Sequence, residues 1–152
     1  MVLREATVAD TGALAEAWYA MLVECGLLAV TAPGWRELVT ADFAKGIERS
    51  RQRWLVVEEE GRIVASGGLF LRHDPISLAL TGLSGTIAGM YTWPAFRRRG
   101  YAAAILERLI TIARDEGCLS IRLRASDQGR PLYERLGFLP GDDMYLRLRS
   151  EG

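Results

Sequence analysis

From Gly100 to about Glu116 the apolar residues Ala102, Ile105, Leu106, Leu109, Ile110 and Ala113 return every three or four positions and draw one continuous stripe. Only a helix laid against a larger apolar surface satisfies such a stripe. The segment before it tightens the constraint. Ile87 to Thr92 is a mostly apolar run that stops before Pro94, and a proline drives the residue ahead of it to extended backbone, so the run predicts a strand. Gly89 interrupts that strand and predicts a bulge in it. A strand therefore passes through the basic turn Arg97-Arg98-Arg99-Gly100 directly into the strongest helix of the chain.

The remaining patterns extend this unit to a mixed α+β order. Val2 to Glu5 predicts a short strand, and Thr7 with Asp10 three residues later has the form of a capping box. Leu14, Ala17, Trp18, Met21 and Leu22 then recur at helical spacing, as do Trp35, Val39, Phe43 and Ile47 after Pro33-Gly34. Trp54 to Glu58 and Ile63 to Leu71 flank Glu59-Glu60-Gly61-Arg62 and predict an antiparallel hairpin. A loop is expected around Asp74-Pro75. Leu119, Ile121 and Leu123 alternate with Ser120, Arg122 and Arg124 as a strand, and a short helix is expected from about Arg130 to Leu136, ended by Gly137. Met144, Leu146 and Leu148 alternate with Tyr145, Arg147 and Arg149 in an expected last strand. The order predicts a mixed, mostly antiparallel sheet flanked by about four helices. With 152 residues and no linker or repeat, one domain over residues 1–152 is expected.

Charge and composition exclude several functions. Nineteen basic residues balance nineteen acidic ones, so the field that draws a protein to nucleic acid or to an anionic membrane is absent, and neither is expected as a partner. Cys25 and Cys118 form no Cys-x-x-Cys pair and His73 is the sole histidine, so no metal site is expected. Two isolated thiols and an N-terminus without a long apolar run point to a reducing cytoplasm, and the bias to arginine over lysine suits a GC-rich bacterial genome.

The Met90 to Ala102 segment has the outline of an anion site. The first amides of a helix lack internal acceptors and the helix dipole adds partial positive charge there, so a phosphate gathers several hydrogen bonds at once. Gly100 and Ala102 keep the approach free of bulky side chains, and three arginines stand beside it. The turn lacks the Gly-Lys-Ser/Thr ending of a Walker loop and the three spaced glycines of a dinucleotide fingerprint.

Arg97, Gly100 and Ala102 meet the pattern Gln/Arg-x-x-Gly-x-Gly/Ala, and Tyr133-Glu134-Arg135-Leu136-Gly137-Phe138 places a tyrosine before Leu-Gly-Phe. Together with the element order, these segments resemble the GCN5-related N-acetyltransferase (GNAT) superfamily. The resemblance implies an N-acetyltransferase fold over essentially the whole chain and acetyl-coenzyme A as cosubstrate. It implies that the backbone of Met90, Tyr91 and Thr92 pairs with the pantetheine arm as an added strand would. It further implies that amides from Arg98, Arg99, Gly100, Tyr101 and Ala102 hold the pyrophosphate beside Arg97. Ser126 lies where the family often has an asparagine, a residue this chain lacks throughout, and could supply one hydrogen bond to the cofactor. Asp127 is expected to cap the next helix. The resemblance also implies a dimer as a common assembly.

In the implied chemistry a neutral amine attacks the thioester directly, a backbone amide near Met90 meets the oxyanion, and Tyr133 gives the leaving thiolate a proton. The base is the departure from the family, because Ala88 and Gly89 stand where many relatives carry a carboxylate. Glu24, His73, Asp74 or a chain of waters could serve instead. The segments expected on the acceptor side run from Trp18 to Arg36 and from His73 to Gly85. Trp18, Tyr19 and Trp35 could line a pocket there, although helical spacing assigns the tryptophans to the apolar faces of their helices. The expected acceptor is a small-molecule or peptide amine. The missing carboxylate also suits a non-catalytic acetyl-coenzyme A-binding sensor module. Acetylation of aminoacyl-tRNA is disfavoured by the zero net charge.

Overall fold

Burial in β2 (Gln52–Glu59) explains why its sequence does not alternate: Trp54, Leu55, Val56 and Val57 are all buried, because helices cover both faces of the sheet to which it belongs. The computed structural model describes residues 1–26, 33–74, 82–146 and 148. Along the chain follow β1 (Val2–Glu5), α1 (Thr11–Glu24), α2 (Trp35–Glu48), β2, β3 (Arg62–His73), β4 (Leu83–Thr92), α3 (Tyr101–Asp115), β5 (Ile121–Leu123) and α4 (Arg130–Arg135). The five strands stand in the order β1-β2-β3-β4-β5, every pair antiparallel except β4 with β5. Among the described residues no helix is long and apolar enough to cross a membrane.

The two faces carry separate cores. Ile105, Leu106, Leu109, Ile112 and Ala113 of α3 pack on Leu55, Val57, Leu69 and Ile87. On the opposite face Leu14 of α1 and Phe43 of α2 close over Trp54 and Val56, with Trp18 and Phe70 around them. Full burial of an aliphatic or aromatic side chain stabilises by about 1.5–3 kcal/mol, so α3 is pinned by its stripe and the start of α3 cannot drift relative to β4. Tyr19 and Trp35 stack on each other with centroids 4.8 Å apart and tie α1 to α2.

The capping box forms as expected, Thr7 N–H donating to Asp10 Oδ2 at 2.8 Å. It opens a short 3-10 turn, Val8–Asp10, that runs into α1. The strands are longer than the sequence patterns suggested: β3 reaches His73, and β4 begins at Leu83 rather than Ile87 because Ser84 and Gly85 are buried in the sheet without being apolar. In the opposite sense β5 is shorter, with Leu119 and Ser120 outside it. The bulge at Gly89 is present: the β3–β4 register shifts between Ser66 and Gly68, and Gly89 has φ +70°.

The expected last strand is not formed. Residues 138–146 and 148 are irregular, and Met144, Leu146 and Leu148 are exposed. Arg147 and Arg149 lie outside the described residues, as does Pro75 of the expected loop.

Candidate functional site

β4 and β5 pair only from Gly85 with Ile121 to Ile87 with Leu123. Beyond that point β4 runs on to Thr92 with β3 as its strand partner, so the two parallel strands part. Between them opens a cleft of about 990 Å³ whose walls include Met90, Tyr91 and Thr92 of β4, the Arg97 to Ala102 turn, and Ser126 and Tyr133 from the α4 side. All the residues expected to hold a cofactor, and the expected acid, therefore border one cavity. A smaller depression of about 280 Å³ near Glu5, Arg53 and Trp54 has its charges paired, Arg53 lying on Glu5 and Glu116.

The turn into α3 is shaped for an anion. Arg98 has φ +66° and Gly100 φ +81°, while Arg97 between the 3-10 turn Pro94–Phe96 and Arg98 is extended. Backbone that passes through the left-handed region in this way gathers successive N–H groups into a concavity. The helix's own ladder starts with Ala104 N–H on the Gly100 carbonyl at 3.1 Å, so the amides before it lack intrahelical acceptors. A Cβ on Gly100 would meet no atom within 4 Å. The glycine is required by its backbone angle, then, and not by crowding within the protein.

The three arginines differ. Arg97 donates from Nη2 to Glu24 Oε2 at 2.7 Å and from Nε to the Thr92 carbonyl at 2.9 Å, and its guanidinium lies 5.5 Å from the Tyr91 ring centre. Arg99 reaches Glu59 at 3.2 Å, and the Tyr101 hydroxyl donates to the same carboxylate. Arg98 has no carboxylate partner among the described residues, which leaves its charge for a ligand.

Tyr133 is half-buried, with its ring edge-on to Phe138 at 6.0 Å. Burial, and to a smaller extent the nearby Cys25 thiol, push its phenol above the ordinary value of 10, so it remains a proton donor throughout the neutral range. Its hydroxyl makes no hydrogen bond with the described residues. Ser126 Oγ accepts the Gly129 N–H at 3.1 Å. The cap expected from Asp127 is not formed: Gly129 is the N-cap residue of α4 and no side chain caps the helix, while Ser126 Oγ, three residues back, holds the amide of that glycine. The serine O–H is still available to donate.

The candidate bases fare differently. Glu24 borders the cleft, but as long as Arg97 donates to it the bond holds its carboxyl below the usual range and makes it a weaker proton acceptor. His73 ends β3 and is exposed, and Asp74 is paired with Ser84 and with Arg72 at 3.0 Å; neither borders the cleft. The Ser84 and Arg72 contacts also hold Asp74 below its ordinary value. Of the aromatic residues on the first helices, Trp18 borders the cleft while also packing on Phe43 and Trp54, whereas Tyr19 and Trp35 do not border it. Sequence reasoning missed Cys25. Just past the end of α1, it continues at helical spacing the face that carries Trp18, Met21 and Leu22, a signal that could have found it. Arg124 and Arg135 were also missed, and nothing in their spacing marks them.

Comparison with known proteins bears on the family and the fold. Residues 15–138 match the model of the acetyltransferase (GNAT) family. No curated protein matches the chain. Among solved structures, a predicted acetyltransferase from Clostridium acetobutylicum, crystallised with acetyl-CoA, superposes with a TM-score of 0.86 at 27% identity over 97% of this chain and 95% of that one. A GCN5-related N-acetyltransferase from Ralstonia eutropha JMP134 gives 0.87 at 25% identity over 97% of both. Glucosamine-6-phosphate N-acetyltransferase from Arabidopsis thaliana shares the fold, with a TM-score of 0.73 at 21% identity over 98% of each chain.

Proposed function

Because the chain belongs to the GNAT acetyltransferase family, we propose that it is an acetyl-CoA-dependent N-acetyltransferase that moves the acetyl group to a primary amine of a small molecule or a protein by direct attack. The observation that carries this reading is one shared cleft: where β4 parts from β5, the anion-shaped turn and Tyr133 border the same cavity. Acetyl-CoA fits such a cleft chemically. Its diphosphate matches the amides and Arg98, which has no carboxylate partner among the described residues, and its amide-bearing arm matches the β4 backbone left without a β5 partner.

In this reading Met90, Tyr91 and Thr92 bind the arm, Arg97 to Ala102 and Ser126 bind the phosphate-bearing part, and Tyr133 is the acid. A primary amine has an unperturbed pKa of about 10 and must lose a proton before attack. His73 and Asp74 lie outside the cleft, which leaves Glu24, once a ligand draws Arg97 away from it, or water as the proton acceptor. Two free cysteines, Cys25 and Cys118, suit work in a reducing cytoplasm.

The absence of a carboxylate at Ala88 and Gly89, with Glu24 already engaged by Arg97, favours one second reading, an acetyl-CoA-binding module without turnover. Titration calorimetry of acetyl-CoA, followed by thiol release with a mixed amine panel, separates the two. Expected are binding, release with at least one amine, and a Tyr133→Phe variant that binds acetyl-CoA within about threefold of wild type while releasing thiol about 100-fold more slowly. Binding without release from any amine favours the module. No binding at all removes both.

A further inference from the structure

Glu24 and Arg97 connect opposite sides of the cleft. Glu24 ends α1, whose cleft-facing neighbours Trp18, Met21, Leu22 and Cys25 are otherwise uncharged, and Arg97 opens the turn that leads to α3. Their 2.7 Å ion pair is open to solvent, the Glu24 side chain being 43% and that of Arg97 26% exposed. Apart from Asp127 on the α4 side, Glu24 is the acidic group among the described residues that border the cleft. Its carboxylate is thus the anion on an apolar wall, and in the free protein a guanidinium covers it.

A pair this exposed is worth about 0–1 kcal/mol. A diphosphate offers the same guanidinium two charged, bidentate acceptors, a stronger partner than one carboxylate in water. Any ligand that draws Arg97 to the turn therefore leaves Glu24 uncovered. We infer that Arg97 exchanges Glu24 for the diphosphate of coenzyme A, and that the exposed Glu24 then receives the ammonium group of the acceptor, an apolar primary monoamine. Glu24 is a specificity-determining residue in this scheme and Arg97 the residue that covers it. The apolar body of the amine lies along Trp18, Met21 and Leu22. By linkage, cofactor and amine then favour each other's binding to the same extent.

This inference rests on the acetyltransferase reading, and the test separates the two. Coenzyme A is titrated into wild type, Glu24→Gln, Arg97→Gln and the double variant. Glu24→Gln should bind coenzyme A about two- to fivefold more tightly than wild type, since no pair has to be broken. In the Arg97→Gln background the same change should leave affinity where it was. Thiol release from acetyl-CoA is then followed with hexylamine, 2-phenylethylamine and ethanolamine. Wild type should prefer the first two, and kcat/KM for hexylamine should fall at least about tenfold in Glu24→Gln, opposite in sign to the gain in cofactor affinity. A residue that merely braces the fold would lower both.

Equal tightening in both backgrounds would mean a plain field effect and would overturn the exchange, as would no tightening in either. Ethanolamine turned over as well as hexylamine would overturn the substrate class. If wild type binds coenzyme A and transfers acetyl while Glu24→Gln matches it in every assay, only this inference fails. If wild type binds no coenzyme A, the acetyltransferase reading fails with it.

Discussion

A Cβ built on Gly129 would stand 2.9 Å from Cε2 of Tyr133 and 3.3 Å from its Cζ, so the glycine at the start of α4 sets where the phenol ring lies. The backbone of Gly129, at φ −84°, suits any residue, and the constraint comes from the ring, with Ser126 Oγ a looser neighbour at 3.3 Å. Gly129→Ala should therefore fold with an unchanged melting temperature, to within a few degrees, and still bind coenzyme A. Its kcat should fall about tenfold or more, because a methyl group displaces the hydroxyl from the position in which it would protonate the leaving thiolate. Calorimetry together with thiol-release kinetics checks both halves. A variant with full kcat would separate Tyr133 from the chemistry.

Gly89 is held from two directions. Its φ of +70° excludes a side chain on backbone grounds, and a Cβ there would come within 2.6 Å of the Trp54 ring and 3.3 Å of Trp18. Trp54 is itself the centre of the α1–α2 core, packed on Phe43 at 4.7 Å. Gly89→Ala should cost about 3 kcal/mol or more, from left-handed strain and overpacking together, measured by denaturant unfolding. Loss of the bulge would also realign β4 along the cleft.

The same bulge was legible in the sequence as a lone glycine in an apolar run, and the α3 stripe and the turn before it were legible as well. Each of these depends on contacts close in sequence or on a periodicity that a single element imposes. What could not be read depends on distant partners. Glu24 and Arg97 are 73 residues apart, and nothing in either segment announces that they pair. β4 begins before its apolar run because neighbouring strands, not its own side chains, extend it. The Met144 to Leu148 alternation has a strand's period, but a strand also needs an edge to join, and no described strand pairs with it. Asp127 does not cap α4, and Ser126 holds the amide of the N-cap glycine instead, because hydroxyl placement is a three-dimensional property that composition leaves open.

Acid should loosen the N-terminal strand first. Arg4 donates to Asp10 at 2.8 and 3.0 Å and to Glu58 at 2.9 and 3.1 Å, joining β1, the 3-10 turn and β2. The Arg4 bonds, with help from the Thr7 amide, lower the Asp10 carboxyl from 3.8 to about 2. A depressed carboxyl stabilises the folded state fully above its unfolded value and loses that contribution as pH falls through the folded one. The window is therefore between about pH 4 and pH 2. After allowance for a pair that is about one-third exposed on the arginine side, Asp10→Asn should cost about 1–2 kcal/mol at pH 7. The difference from wild type should shrink to nothing toward pH 2. Urea titrations at stepped pH values check both the size and the window.

Arg98 sets stability against binding. At φ +66° it occupies the left-handed region, where a residue with a Cβ is strained by about 1–2 kcal/mol, while glycine adds unfolded-state entropy that offsets part of the relief. Arg98→Gly should thus be as stable as wild type or up to about 1 kcal/mol more stable. It should also bind coenzyme A about tenfold more weakly, because it removes the one arginine of the turn that has no carboxylate partner among the described residues. Arg99→Gln, whose guanidinium already lies on Glu59, should weaken binding less. Thermal melts and coenzyme A titrations at two salt concentrations test this, with the Arg98 variant losing salt dependence as well as affinity. If the order of the two variants were reversed, the diphosphate would be drawing its charge from Arg99, and the Glu59 pair would have to open in the same way as the Glu24 pair.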